Sequence, residues 1–300
     1  MVEMSLDESK NISVLRDPRL RLVIVSLLIT LTILTARVIV YILTHSMAVL
    51  ADAIHSASDI TANIIALVSL LVSLKGPDRD HPYGHGKAES LGSFSISLLL
   101  LFLSTYILSE SISRILHGYG EIEFTVYSTA ILGATLVLDL WRSRALERGG
   151  VKYGSLVLRA DALHYKSDLY ITSSVLTLGL ISVVYDNESL IRILDSILSL
   201  AIVSYIVLAS YRMMRISIDE LMDRSVVEVE EEFKRIAREL GAEVRLVRTR
   251  RVGERIFVDA VIRIPREARL REAHEVTEEI ERTLRKRSSR DIDIIIHVEP

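Results

Sequence analysis

The chain has 300 residues, half of them hydrophobic and one quarter charged, which is too apolar for two ordinary soluble domains of that combined length. A formal net charge of −3, with 36 basic residues against 39 acidic ones, leaves no positive excess to hold nucleic acid. The absence of cysteine excludes a disulfide framework, thiolate metal sites and a cysteine nucleophile. Any metal must therefore be held by histidine and carboxylate.

Long, nearly uncharged runs fill the chain from Leu22 to about Tyr211, and most of the Arg, Lys and Glu residues lie beyond Met214. A spanning helix needs about 20 mostly apolar residues, and six stretches approach that length, at about 22–44, 47–74, 90–115, 122–147, 156–185 and 190–214. Residues 1–20 form a polar leader bearing Lys10, Arg16 and Arg19, with no small-residue cleavage pattern, so the first span is expected to stay in the membrane. The reading divides the chain into this leader, a six-helix transmembrane domain at 21–215, a linker at 216–224 and a water-soluble domain at 225–300.

Orientation follows from the basic residues of the short connections. One set carries Lys75, Arg79 and Lys87, then Arg142, Arg144, Arg148 and Lys152; the connections on the other side are short and poor in them. The basic set is expected to be cytoplasmic, and with it both termini of a multi-pass protein of the cell membrane.

Beyond Ser225 the periodicity changes. Val229, Phe233, Ile236 and Leu240 have helical spacing, 242–249 reads as a strand, and Val258, Ala260, Ile262 and Ile264 alternate with polar Asp259 and Arg263 as a half-buried strand does. Gly253 marks the turn between the strands, 271–287 is again helical, and 291–298 is a last strand. This α-β-β-α-β order predicts a small ferredoxin-like or metallochaperone-like sandwich with its helices on one face of a sheet.

Within the second and fifth spans one phrase occurs twice: Ala51-Asp52-Ala53-Ile54-His55-Ser56-Ala57-Ser58-Asp59 and Ala160-Asp161-Ala162-Leu163-His164-Tyr165-Lys166-Ser167-Asp168. Each holds a His-x-x-x-Asp, and side chains at i and i+4 share one face of a helix. Two such helices facing each other offer two imidazoles and two carboxylates, the four ligands that tetrahedral Zn²⁺ takes. A lone helical histidine is more often a core residue, but ionisable groups at bilayer depth are expensive to place there, and packing does not explain a duplicated pair. Asp52 and Asp161 also repeat, yet point away from the ligand pair, which suits a structural role equally well. A second cluster, from Asp78 through His81 and His85 to Glu89, follows the second span and can close around a cation, although its Pro and Gly residues alone say only turn.

The paired His-x-x-x-Asp, the phrase His81-Pro82-Tyr83-Gly84-His85-Gly86-Lys87-Ala88-Glu89, the six spans and the small C-terminal α/β domain together resemble the cation diffusion facilitator family of divalent-metal transporters. The resemblance covers the chain from about Leu20 to Pro300. It implies a homodimeric secondary transporter that exports Zn²⁺ or a similar ion from the cytoplasm in exchange for protons, with His55, Asp59, His164 and Asp168 as the transport site and Asp78, His81 and His85 as a loop site. It also implies a site in the cytoplasmic domain, where His274, His297 and Glu299 fall at ligand positions, Glu299 in place of an aspartate. Arg245 and Val261 stand where two further histidines are expected, which puts a binuclear site in doubt. Finally, it implies an ion pair between Lys87 and Asp223 that ties the two protomers at the membrane surface. His45 and His117 receive no role.

Imidazole suits Zn²⁺, Co²⁺, Ni²⁺ and Fe²⁺, whereas Mn²⁺ prefers oxygen, so two histidines favour zinc, with cadmium a softer passenger. An intramembrane zinc hydrolase would need a general-base Glu in a phrase such as His-Glu-x-x-His, which the sequence lacks. The alternative is a metal-sensing or scaffolding membrane protein that binds the ion without moving it.

Overall fold

The structure, a computed structural model, describes residues 16–44, 47–117, 126–184, 188–265, 269–288 and 290–300. Expectations placed on residues 1–15, on His45 and on the connections at 118–125 and 185–187 fall outside the described residues, and so do the side chains of Asp52, His55 and His117.

Six long helices come first: α1 (Pro18–Thr44), α2 (Met47–Ser73), α3 (Ala88–His117), α4 (Val126–Lys152), α5 (Leu156–Val184) and α6 (Glu188–Leu221). At 1.5 Å per residue each exceeds the roughly 30 Å of a hydrocarbon core. Among the described residues, α1, α3 and α6 are long and apolar enough to cross a membrane by composition alone. Buried ionisable side chains lie within α2 (Asp59), α4 (Asp139, Arg142) and α5 (Asp161, His164). Leu28, Ile42, Phe102, Leu180, Ile197 and Leu208 are exposed on the outer surface of the bundle, as lipid-facing side chains of spanning helices are. The buried core joins Leu20, Val23, Ala66, Leu70, Leu146, Val157, Leu158 and Ala160. All of these lie toward the end of the bundle that carries the small domain.

Two boundaries differ from the sequence reading. Helix α4 continues through Gly149 and Gly150, where the missing side chains make room for close neighbours: a Cβ at Gly149 would meet the Leu22 side chain and one at Gly150 the Arg159 side chain. Arg142, read as part of a cytoplasmic connection, is therefore a buried residue of α4, 3 % exposed. Helix α6 continues to Leu221, so most of the expected linker at 216–224 is helix. It ends at Asp223, whose φ of 57° is left-handed, while the Arg224 N–H returns to the Asp219 carbonyl at 2.9 Å. This is a Schellman stop with Asp in the place of the usual Gly.

The small domain has the expected α-β-β-α-β order: α7 (Val227–Glu239), β1 (Glu243–Val252), β2 (Arg255–Arg263), α8 (Leu270–Arg287) and β3 (Ile292–Glu299). Strand β1 pairs antiparallel with β2, and α8 crosses over to bring β3 parallel to β2 on its other side. Phe233, Ile236, Val258, Ala260, Ile262, Ile280 and Leu284 fill the space between helices and sheet. The β1–β2 turn at Gly253, φ 63°, abuts the α2–α3 loop so closely that a Cβ on Gly86 would stand 2.8 Å from the Val252 carbonyl oxygen. Tyr83 of that loop packs edge-on against Phe257 at 5.3 Å, and Arg250 lies over the Tyr83 ring at 4.5 Å.

Candidate metal centre

Helices α2 and α5 lie side by side and bring Asp59, His164 and Asp168 together in the middle of the bundle. One ligand atom from each lies within 4.8 Å of the others. His164 Nε2 is 3.4 Å from Asp59 Oδ1 and 3.7 Å from Asp168 Oδ2. Asp59 and His164 are buried, at 6 % and 1 % exposure. Neither ring nitrogen of His164 makes a hydrogen bond of good geometry among the described residues, and the imidazole is aimed between the two carboxylates. A donor set of one nitrogen and two carboxylates is what a divalent cation takes in place of its water. His55 lies on α2 one turn before Asp59, and its side chain lies outside the described residues. Asp161 is fully buried on α5 outside the cluster, and neither of its oxygens has a hydrogen-bond partner among the described residues.

A cavity of about 30 Å³ adjoins this cluster, room for about one water. Asp59 and Asp168 line it together with Arg37, Asp139 and Arg142. Arg142 and Asp139, one turn apart on α4, form a buried ion pair, with the guanidinium Nε 2.7 Å from the carboxylate. The Arg37 guanidinium donates to Ser56 Oγ. The sequence reading missed Asp139 and Arg142. The usable signal was two opposite charges three residues apart in the apolar run Leu136-Val137-Leu138-Asp139-Leu140-Trp141-Arg142, since charge at bilayer depth is functional or paired.

The loop site assembles as well. Asp78, His81 and His85 offer ligand atoms within 4.8 Å of one another: Asp78 Oδ1 is 3.3 Å from His81 Nδ1, and Asp78 Oδ2 is 3.5 Å from His85 Nε2. The backbone N–H groups of His81 and Asp80 donate to Asp78 Oδ1 at 2.7 and 3.0 Å. The His81 N–H, first, and then the Asp80 N–H hold the Asp78 carboxyl below the usual carboxylate range. His85 Nδ1 lies 3.3 Å from the Gly76 carbonyl oxygen, a contact that fixes the proton on Nδ1 and leaves Nε2 to a metal.

The cytoplasmic-domain ligands do not come together within this chain. His274 is an exposed residue of α8 whose Nε2 faces Glu278 at 3.3 Å. His297 and Glu299 lie on β3, with Glu299 4.0 Å from the Arg245 guanidinium. A cation already stands at that carboxylate, and Val261, the β2 partner of His297 in the sheet register, adds no ligand. Lys87 and Asp223 do meet, at 2.9 Å, but inside a single chain. They join the α2–α3 loop to the end of α6, and Lys87 Nζ also donates to the Leu221 carbonyl at 3.1 Å.

A polytopic helical bundle with buried imidazole and carboxylates at its centre, carrying an α/β domain on one end, defines a membrane protein built around a cation. The family model described as the cation efflux transmembrane domain matches residues 23–222, and that of the cation efflux protein cytoplasmic domain matches 222–300. The chain belongs to the cation efflux family, the cation diffusion facilitators, and is a metal-exporting membrane transporter. It is similar to the manganese efflux system protein MneP of Bacillus subtilis, 29% identical over 287 residues that cover 93% of this chain and 95% of the relative. It is similar also to the cation-efflux pump FieF of Pectobacterium atrosepticum, 30% identical over 285 residues, 91% of this chain and 89% of the relative. The manganese efflux system protein MneS of Bacillus subtilis is 26% identical over 280 residues, 92% and 94% of the two chains.

Proposed function

We propose that the protein is a homodimeric antiporter that exports Zn²⁺ from the cytoplasm in exchange for protons, with His55, Asp59, His164 and Asp168 as the transport site and both termini cytoplasmic. The observation that carries this reading is the buried convergence of Asp59, His164 and Asp168 across α2 and α5. Neutral imidazole and ionised carboxylate bind zinc, and the same atoms must shed protons to do so. Protons arriving from the outer face therefore compete the metal off, and that competition couples the two fluxes. Alternating access follows if one part of the bundle moves against the rest about the fixed site, as in other secondary transporters.

Manganese is the second reading, favoured by the manganese efflux proteins among the relatives. The imidazoles of the site weigh against it, since Mn²⁺ prefers an all-oxygen shell. Purified protein in vesicles, loaded with a panel of divalent ions and assayed with and without a pH gradient, separates the readings. Zinc flux that rises with an outside-acid gradient supports zinc–proton antiport, and flux confined to Mn²⁺ refutes the zinc assignment. Ion binding without flux in any arm would leave a sensor.

A further inference from the structure

The buried ion pair of α4 stands beside the metal ligands. Asp139 is 1 % exposed and Arg142 3 %, and both line the cavity that Asp59 and Asp168 line. Asp168 is within electrostatic reach of both members of the pair, and Asp59 within reach of Asp139. A guanidinium keeps its proton wherever a protein places it. Arg142 is therefore a permanent positive charge next to a site that has to attract another cation, in an interior where water and salt screen little. A buried ion pair adds little stability once desolvation is counted, so stability is a poor reason for one to stand at this cavity.

The guanidinium is held on several sides. Its Nε donates to Asp139 Oδ1 at 2.7 Å and Nη2 donates to the same oxygen, while Nη1 donates to Thr30 Oγ1 of α1 at 2.9 Å. The group lies over the Tyr165 ring of α5 at 3.5 Å. Thr30 and Tyr165 are fixed in turn through Asn63 of α2, whose Nδ2 donates to Thr30 Oγ1 at 2.9 Å and whose Oδ1 accepts from the Tyr165 hydroxyl at 2.9 Å. Thr30, Asn63 and Tyr165 are no more than 1 % exposed. The second guanidinium at the cavity, that of Arg37, donates to Ser56.

We propose that Asp139 balances the charge of the transport site: it cancels the Arg142 guanidinium, so that an ion entering between Asp59, His164 and Asp168 meets the attraction of those ligands without net repulsion from α4. The proposal rests on the transport reading above and extends it to two positioning residues that do not touch the ion. The two members act in opposite senses. Without Asp139 the guanidinium is uncompensated and free to turn toward Asp59 and Asp168, which makes it a tethered competitor of the metal. Without Arg142 the Asp139 charge adds to the attraction.

The test is Zn²⁺ binding to the purified full chain in detergent, by calorimetry at neutral pH, in a His81→Ala/His85→Ala background that silences the loop. Asp139→Asn is expected to weaken the affinity about tenfold, equivalent to about 1.4 kcal/mol, and adding Arg142→Gln to bring it back to within about threefold of the background chain. Arg142→Gln alone should bind more tightly than the double variant. A pair that only braces the bundle gives a different pattern, in which both single variants weaken binding alike and the double is no better than either. That pattern overturns the proposal, and so does an unaltered affinity in Asp139→Asn. Breaking one side of a buried pair can unfold a chain, so thermal melting accompanies each variant. Where Asp139→Asn does not fold, the other two decide: tighter binding by Arg142→Gln than by the double supports the proposal, and equal or weaker binding overturns it. Zn²⁺ binding that survives His164→Ala in the same background would overturn the site and the proposal together. Zn²⁺ that binds at His164 but is not carried across vesicles would remove the transport reading and leave the charge balance standing.

Discussion

The Lys87–Asp223 pair allows a prediction whose size can be worked from geometry. The two side chains are 36% and 47% exposed, and an ion pair that open contributes about 0 to 1 kcal/mol. Lys87 has a second task, because its ammonium also bonds the Leu221 carbonyl at the C-terminus of α6, where a cation is worth about 0.3 to 1 kcal/mol against the helix dipole. Lys87→Met should therefore cost about 0.3 to 2 kcal/mol, and removing the Asp223 charge should cost less, about 1 kcal/mol at most. Alanine is the wrong probe at 223: its φ of 57° is tolerated by Asp and Asn, but other L-residues pay about 1 to 2 kcal/mol there. Asp223→Asn isolates the charge. Thermal unfolding of the two single variants and the double, in detergent at low and high salt, should give a coupling of at most about 1 kcal/mol that fades with salt. A charge-swapped double should recover little, because it places Lys at the left-handed position and strips the Leu221 carbonyl of its donor. Since the pair closes within one chain, the losses should not change on dilution. If the two single variants were equally damaging and the damage grew as the protein was diluted, the pair would be joining protomers and the reasoning would fail.

Three further outcomes are expected. Asp59→Ala and His164→Ala should each abolish metal flux in vesicles while thermal melting stays within a few degrees of the parent; flux at the parental rate from either variant would remove these residues from the site. His55→Asp exchanges a nitrogen donor for oxygen and should move the ion ranking toward Mn²⁺ or Cd²⁺, and an unaltered ranking across a transport panel counts against a ligand at this position. At the loop, the Asp78 carboxyl is held below its ordinary range by backbone N–H groups, so its contribution to folding is complete above the ordinary carboxylate pKa and fades only as acid carries the pH down through its lowered folded value. Cation binding at Asp78, His81 and His85 should weaken with acid, because ligands must shed protons to bind a metal. Asp78→Asn should weaken zinc binding, measured by calorimetry, and equal affinity in the variant would show that this carboxylate is no ligand.

Much of the architecture could be read from residue order, for identifiable reasons. Charge at bilayer depth is rare enough that a duplicated His-x-x-x-Asp stands out. The alternation at Val258, Ala260 and Ile262 has the period of a one-faced strand, and β2 occupies that stretch. Arg142 was misplaced because a basic residue near an apolar run looks like a membrane-surface anchor. The nearby Leu22 and Arg159 side chains explain why glycine stands at positions 149 and 150 inside the helix. The hydrogen bonds that join Thr30, Asn63 and Tyr165 were invisible for another reason: these are ordinary polar residues on three separate helices, and nothing in their local sequence announces that they share one network.

The close approach of Gly86 and Gly253 has a practical consequence for anyone labelling the transporter. Hairpin tips are ordinarily the favoured places to splice in an epitope or a fluorescent domain, because they are exposed and tolerant. The β1–β2 tip reverses that expectation. It is wedged against the α2–α3 loop, Arg251 beside it bonds the Gly154 carbonyl and faces Glu220 at 3.1 Å, and Glu254 contacts Arg19. An insertion there would pry the hairpin off four separate segments of the membrane bundle. The turn at Gly241, between α7 and β1, is also left-handed, yet a side chain placed on it meets no atom within 4 Å. A reporter grafted at that turn can ride on the cytoplasmic domain without touching the membrane helices it is meant to observe.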